Sequence, residues 1–231
     1  MPIIGTAGWS IPRSLADCFP AEGSGLSRYA AVFTGVEINS TFYRRHKPST
    51  FARWRESVPA SFRFAVKLPR RITHELKLQQ AQEACRTFLE DISPLGEKLG
   101  PVLCQLPPNL IFDPATVGDY FSFMRSAFAG DIVIEPRHSS WLAEEATNLL
   151  DQLAIGRVFA DPAPIDTPAA ATRNYIRLHG TPKIYYSAYG KAELEAFAAM
   201  LSTDSWCIFD NTASGAAIGN ALAMQDLLGV A

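Results

Sequence analysis

Eight short runs rich in Val, Ile, Leu and Phe recur along this 231-residue chain, and segments with helical spacing of apolar residues fill most of the intervals between them. The runs are Ile3–Gly8, Val36–Asn39, Phe62–Leu68, Val102–Leu106, Ile132–Arg137, Arg157–Ala160, Tyr175–His179 and Cys207–Asn211. Strands joined by single helices must run parallel, because the chain returns along the outside of the sheet before the next strand begins. Eight such units suit a small α/β TIM-type (β/α)8 barrel, a fold of roughly 250 residues, as one domain over residues 1–231. The helical segments expected are Leu26–Phe33, Phe51–Val58 capped by Ser49-Thr50, Leu76–Ile92, Asp113-Pro114 to about Phe128, Trp141–Leu153 opened by Ser140, Ala192–Leu201 and Ala216–Leu228. Between Ala160 and Tyr175, Pro162, Pro164 and Pro168 leave no room for a regular helix, so the sixth helix is expected to be short or missing. An open doubly wound sheet is the alternative architecture. A dinucleotide fold of that kind needs a Gly-rich first turn, and Gly5-Thr6-Ala7-Gly8-Trp9 lacks its spacing.

The apolar share of 48% against 19% charged predicts a large core rather than disorder. The net charge of −2 gives no overall attraction to nucleic acid or to an anionic membrane. Cys18, Cys85, Cys104 and Cys207 are scattered without metal or redox spacing, and no basic-then-apolar leader opens the chain. No run approaches the ~18 apolar residues of a membrane span. A cytoplasmic protein without membrane contact is expected.

Four of the strands alternate apolar residues with polar ones on a single face. Glu37 and Asn39 share a face, as do Glu135 with Arg137 and Arg177 with His179, and Lys67 stands alone among apolar neighbours. Period-two alternation sends these side chains the same way. The strands are too apolar for either face to be plain solvent, so the polar faces are expected to converge on one interior pocket.

The motifs resemble those of the domain-of-unknown-function family 72, the YecE-like proteins. Gly5-Thr6-Ala7-Gly8-Trp9-Ser10 is similar to the family opening, and Val36-Glu37-Ile38-Asn39-Ser40-Thr41-Phe42-Tyr43 to its most specific motif. Phe64-Ala65-Val66-Lys67, Gln105-Leu106-Pro107-Pro108, Glu135-Pro136-Arg137-His138-Ser139-Ser140-Trp141 and Tyr175-Ile176-Arg177-Leu178-His179-Gly180 follow in family order, so the resemblance runs from about Ile3 to Leu228. It implies a TIM-barrel-like fold and no established reaction. The chain departs from the family pattern at Ala7, where Ser is usual, and over Ser10 to Phe19. A third departure is Phe209-Asp210-Asn211, where an Asn usually stands in place of Asp210.

The functional end of such a barrel is the C-terminal end of its strands. Glu37, Glu135 and His179 are the candidate catalytic groups, as acid and base or as metal ligands; ion pairing of the two carboxylates with Lys67 and Arg137 is the competing reading. Asn39, Thr41, Tyr43, Lys67, Gln105, Arg137, His138, Trp141, Arg177, Asp210 and Asn211 are the candidate ligand contacts. The cations outnumber Glu37 and Glu135, so an anionic small molecule bearing phosphate or carboxylate is expected, gripped by Arg177 with Lys67 or Arg137. His46 and His74 are expected on the surface. No spacing of metal ligands supports a metal site and no motif names a cofactor. Two alternatives stand beside an enzyme of a small anion. One is a nucleic-acid-binding or nucleic-acid-processing protein using Arg44, Arg45, Lys47, Arg70 and Arg71; the other is a ligand sensor without catalysis.

Overall fold

A computed structural model describes residues 1–165 and 174–230. The strands are β1 (Ile3–Thr6), β2 (Gly35–Ile38), β3 (Arg63–Lys67), β4 (Leu99–Gln105), β5 (Ile132–Glu135), β6 (Ile155–Arg157), β7 (Phe159–Asp161), β8 (Tyr175–Leu178) and β9 (Trp206–Phe209). The helices are α1 (Gly25–Ala30), α2 (Pro48–Glu56), α3 (Gln82–Ile92), α4 (Pro114–Ala127), α5 (Glu144–Gln152), α6 (Lys191–Ala198) and α7 (Ala216–Leu228). Every pairing is parallel, in a five-stranded sheet ordered β2-β3-β4-β5-β6 and a four-stranded sheet ordered β1-β9-β8-β7. The expected run Arg157–Ala160 is two strands around Val158. The first half pairs with β5 and the second with β8, so one stave passes from sheet to sheet. The fold is thus TIM-barrel-like, but its backbone ladder is two sheets rather than a closed ring.

The other seam, between β1 and β2, has a chemical reason for its break. One isolated bridge joins Ala7 to Glu37, and Gly8 N donates to Glu37 O at 2.9 Å. Below that point the phenol of Tyr29, fully buried on α1, stands between the strands. Thr6 N donates to its oxygen at 2.9 Å and the hydroxyl lies 3.2 Å from Gly35 O. The two backbones still approach closely, because a Cβ on Gly5 would fall 2.3 Å from the Gly35 carbonyl oxygen.

Local chemistry explains the shifted helix boundaries. Pro48 is the first residue of α2 and Lys47 its cap, so Ser49-Thr50 lie within the first turn. The expected helix Leu76–Ile92 is cut short, because Lys77, Leu78 and Gln80 have φ of 51°, 68° and 50° and α3 starts at Gln82. Asp113 caps α4 through Thr116 N at 2.7 Å. Ser140 does not open α5; its hydroxyl accepts from Phe112 N at 2.8 Å and bonds to His138 Nδ1 at 2.9 Å. The sixth-helix expectation falls mainly on residues 166–173, outside the described residues. Among the described residues no helix is long and apolar enough to cross a membrane.

The main core lies between the strands and the surrounding helices. A second, smaller cluster of Ala65, Leu103, Val133, Val158, Tyr175, Trp206 and Ile208 fills the barrel interior. Two residues further along β3, β4, β5, β8 and β9, the same inward face carries Lys67, Gln105, Glu135, Arg177 and Asp210. An apolar plug therefore supports a charged layer at the C-terminal ends of the strands.

Candidate functional site

Arg177 is the centre of that layer and has no exposed surface. Its Nε donates to Glu37 Oε2 at 3.0 Å and its Nη2 to Glu37 Oε1 at 2.8 Å, a two-point grip. Nη1 donates to Glu135 Oε2 at 2.6 Å, and Nη2 also reaches Asp210 Oδ2 at 2.9 Å. Three carboxylates from β2, β5 and the end of β9 thus meet on one guanidinium. Tyr175 adds a hydroxyl to Glu37 Oε2 at 2.9 Å from the plug below. Glu135 Oε1 collects Gln105 Nε2 at 2.9 Å, Arg137 Nε at 3.1 Å and Arg137 Nη2 at 2.8 Å. This placement corrects the expectation that Arg177 grips a ligand, because its donors already face carboxylates.

His179 and Lys67 are partnered less completely. His179 Nδ1 bonds to Asp210 Oδ2 at 3.0 Å. Its Nε2 stands 3.4 Å from Glu135 Oε1 without hydrogen-bond geometry, and is buried without a hydrogen-bond partner. Lys67 is 4% exposed; its Nζ lies 4.2 Å from the centroid of the Phe42 ring and has no hydrogen bond or ion pair among the described residues. Asn39 Oδ1 and Asn211 Oδ1, at the ends of β2 and β9, are also buried without partners. Buried polar atoms are normally satisfied, so unsatisfied atoms on three strand ends mark a place built for something else.

The charges set one another. Burial alone would raise Glu135; Arg177, then His179 and Arg137, overcome it and hold the carboxyl well below the usual range. Asp210 is lowered against the same burial penalty by Arg177 and His179. Burial pushes His179 down, but Glu135 and Asp210 prevail and raise it, which favours the imidazolium. Lys67 is lowered to about 8, first by burial and then by Arg177, with Glu37, Asp210 and Glu135 only partly offsetting. Among the described residues no group of three or more His, Cys, Asp or Glu is arranged to hold a metal ion. The carboxylates converge on a guanidinium instead.

Other expected site residues do different work. Thr41 Oγ1 bonds to Ile38 O at 2.9 Å and Lys67 O at 2.7 Å, clasping the ends of β2 and β3. Trp141 is fully buried, with Nε1 donating to Leu110 O at 2.9 Å, and so packs a loop rather than lining a mouth. His138 Nδ1 accepts from Ser140 N at 3.2 Å and orients the same loop. Asn211 Nδ2 bonds to Ser187 O and Asn220 Oδ1, both at 2.9 Å. Tyr43 is 76% exposed and lines a cavity of about 530 Å3 outside the barrel mouth, between the segments after β2 and β3 and helix α3. His46 and His74, expected on the surface, are half-buried: His46 Nε2 pairs with Ser40 Oγ at 2.8 Å and His74 packs on Phe42. Sequence reasoning passed over Tyr175, although its parity with Arg177 and His179 marks it as inward-facing, and Phe42, whose contact with Lys67 no spacing announces.

Comparison with known proteins places the chain in a family. The family model described as "Protein of unknown function DUF72" matches residues 3–231. The chain belongs to the DUF72 family. The UPF0759 protein YecE of Escherichia coli K12 is 33% identical over 172 residues, covering 71% of this chain and 61% of YecE. The match therefore spans less than two thirds of that relative. UPF0759 protein YunF of Bacillus subtilis is 25% identical over 100% of this chain and 95% of its own length. A DUF72 protein of Thermotoga maritima has a crystal structure with a TM-score of 0.81, 26% identity and 99% coverage of both chains. A D-allulose 3-epimerase from Methylomonas sp., at a TM-score of 0.55 and 12% identity, shares the fold alone. Glu37, Lys67, Gln105, Glu135, Arg137, Arg177 and His179 all lie within the matched residues.

Proposed function

We propose that this DUF72 protein is an enzyme acting, as one domain, on a small hydroxylated anion bearing phosphate or carboxylate at the strand C-terminal ends. The observation that carries the reading is His179 Nε2, buried without a hydrogen-bond partner, beside Lys67, a largely buried residue whose Nζ has no hydrogen bond or ion pair among the described residues. Glu37, Glu135 and Asp210 offset Arg177, Arg137 and Lys67, so a protonated His179 leaves the layer one charge positive. Asn39 Oδ1 and Asn211 Oδ1 are acceptors suited to substrate hydroxyls. His179 is the proton donor in this reading, oriented by Asp210. Glu135 keeps the imidazole charged, and Glu37 holds Arg177 in place; a carboxylate that holds so many donors is a poor base. Lys67 and the outer edge of Arg137 bind the anion. The free, buried thiols of Cys85, Cys104 and Cys207 accord with a reducing, cytoplasmic setting.

Calorimetry with sugar phosphates and dicarboxylates tests the proposal. Wild type is expected to bind at least one of them, Lys67→Met to weaken it about tenfold or more, and His179→Gln to retain binding while ligand consumption followed by NMR stops. Binding of neutral or cationic ligands alone sinks the reading, and binding without consumption reduces it to a sensor.

A further inference from the structure

The cavity of about 530 Å3 outside the barrel mouth has no part in the strand-end chemistry, yet it has the size and chemistry of a ligand site. Its floor is apolar: Phe51, Ile72 and Phe88 are all buried. Its rim is cationic, with Arg44, Arg45, Arg70 and Arg71 against only Glu75 and Asp91. Asp91 is already held by Arg45, through Nε at 2.6 Å and Nη2 at 2.9 Å. The side chains of Arg44, Arg70 and Arg71 have no hydrogen bond or ion pair among the described residues. Three unpaired guanidiniums around one concavity suit the oxygens of a phosphomonoester. The exposed ring of Tyr43, beside Phe42 on the same rim, offers a face for a planar body.

The local field agrees. Burial lowers His46, and Arg44 lowers it further. Burial lowers His74 to about 4, with Lys67, Arg70 and Arg137 adding to the effect. Four arginines line this hollow in a chain whose net charge is −2, so the attraction for an anion is local rather than global.

We infer that this cavity is a second binding site, for a phosphomonoester carried on a planar aromatic body such as a nucleoside monophosphate. Its phosphate sits among Arg44, Arg70 and Arg71, and its ring lies against Tyr43 over the apolar floor. The site is separate from the strand-end pocket proposed above; Phe42, which lines the cavity and carries Lys67 Nζ on its ring, is their common wall.

Calorimetry of the full chain with AMP, adenosine, inorganic phosphate and a single-stranded oligonucleotide tests this. AMP is expected to bind at least tenfold more tightly than adenosine or phosphate. Arg70→Gln, Arg71→Gln and Arg44→Gln should each weaken AMP by about tenfold. Ala84→Trp, which fills the cavity from α3, should abolish binding, with circular dichroism confirming the fold of every variant. The inference is overturned if AMP does not bind, or if its affinity ignores the three arginine substitutions. An oligonucleotide that binds far more tightly than AMP, with a steep loss in salt, also overturns it in favour of a polymer surface. AMP binding lost in Lys67→Met but kept in the arginine variants places AMP at the strand ends, so this inference fails while the proposed function stands. Arginine-dependent AMP binding with no response to sugar phosphates or dicarboxylates has the opposite meaning.

Discussion

The charged layer inside the barrel and the arginine rim outside it use the same side chains under opposite conditions. Arg177 is fully buried and meets Glu37, Glu135 and Asp210; Arg44, Arg70 and Arg71 are exposed and pair with no carboxylate among the described residues. The difference shows that an arginine on an inward strand face is a structural cation first. Its burial is tolerable only because carboxylates from other strands arrive at the same point. An arginine on a strand-end loop keeps its solvation and stays available for a ligand.

Removing Arg177 should break this contrast most severely. Arg177→Met leaves three carboxylates without their shared cation, and urea unfolding at pH 7 should register a loss of about 3–5 kcal/mol. A loss under 1 kcal/mol would mean the carboxylates had never depended on it. Tyr175→Phe removes one hydrogen-bond donor from the Glu37 carboxylate and should cost about 1.5–3 kcal/mol in the same assay. Asp91→Ala frees Arg45, whose side chain is 70% exposed, and should cost less than Tyr175→Phe. Arg71→Ala, at the exposed rim, should stay within about 0.5 kcal/mol of wild type. If the two ends of this series exchanged places, the division between the regions would be wrong.

Acid and base limbs sharpen the comparison further. Glu135 and Asp210 are held below the ordinary carboxylate range, so the stability they contribute is complete above roughly pH 4–5 and lost as pH falls through their lowered folded values. His179 is raised, so its contribution is complete below about pH 6.5 and lost as pH rises through its folded value. Unfolding free energies measured from pH 3 to 9 should therefore show both limbs. His179→Gln should remove the upper one, while Arg71→Ala should alter neither. Anion binding at the strand ends should weaken as pH rises past about 8, where Lys67 loses its proton.

Much of the layer was legible because strand parity is a local rule. Lys67, Glu135 and Arg177 each lie two residues from an apolar inward neighbour, His179 lies two from Arg177, and Glu37 shares its face with Asn39. Helix α7 was legible at both ends, its apolar run bounded by Gly215 and Gly229. The partners of Arg177 were not legible, because they lie 140, 42 and 33 residues away and no spacing rule spans such distances. For the same reason the cations counted from the sequence suggested an open grip where the structure has a closed one. The cavity was half-legible: the basic runs were visible, but its apolar floor comes from Phe51, Ile72 and Phe88 on three separate segments. The break before α3 was hidden because Lys77, Leu78 and Gln80 adopt positive φ without a glycine to announce it.

The Tyr29 phenol in the β1–β2 seam puts a side chain where a ladder would otherwise close the two sheets. Thr6 N depends there on a side chain, so its amide-exchange rate reports the rotamer of a helix residue rather than the opening of a ladder. Just above, the main chain of Glu37 receives Gly8 while its carboxylate grips Arg177. A single residue, Glu37, thus joins the two sheets through its backbone and anchors the charge layer through its side chain. Any fluctuation that loosens this join reaches the pocket through one residue, with no intervening relay.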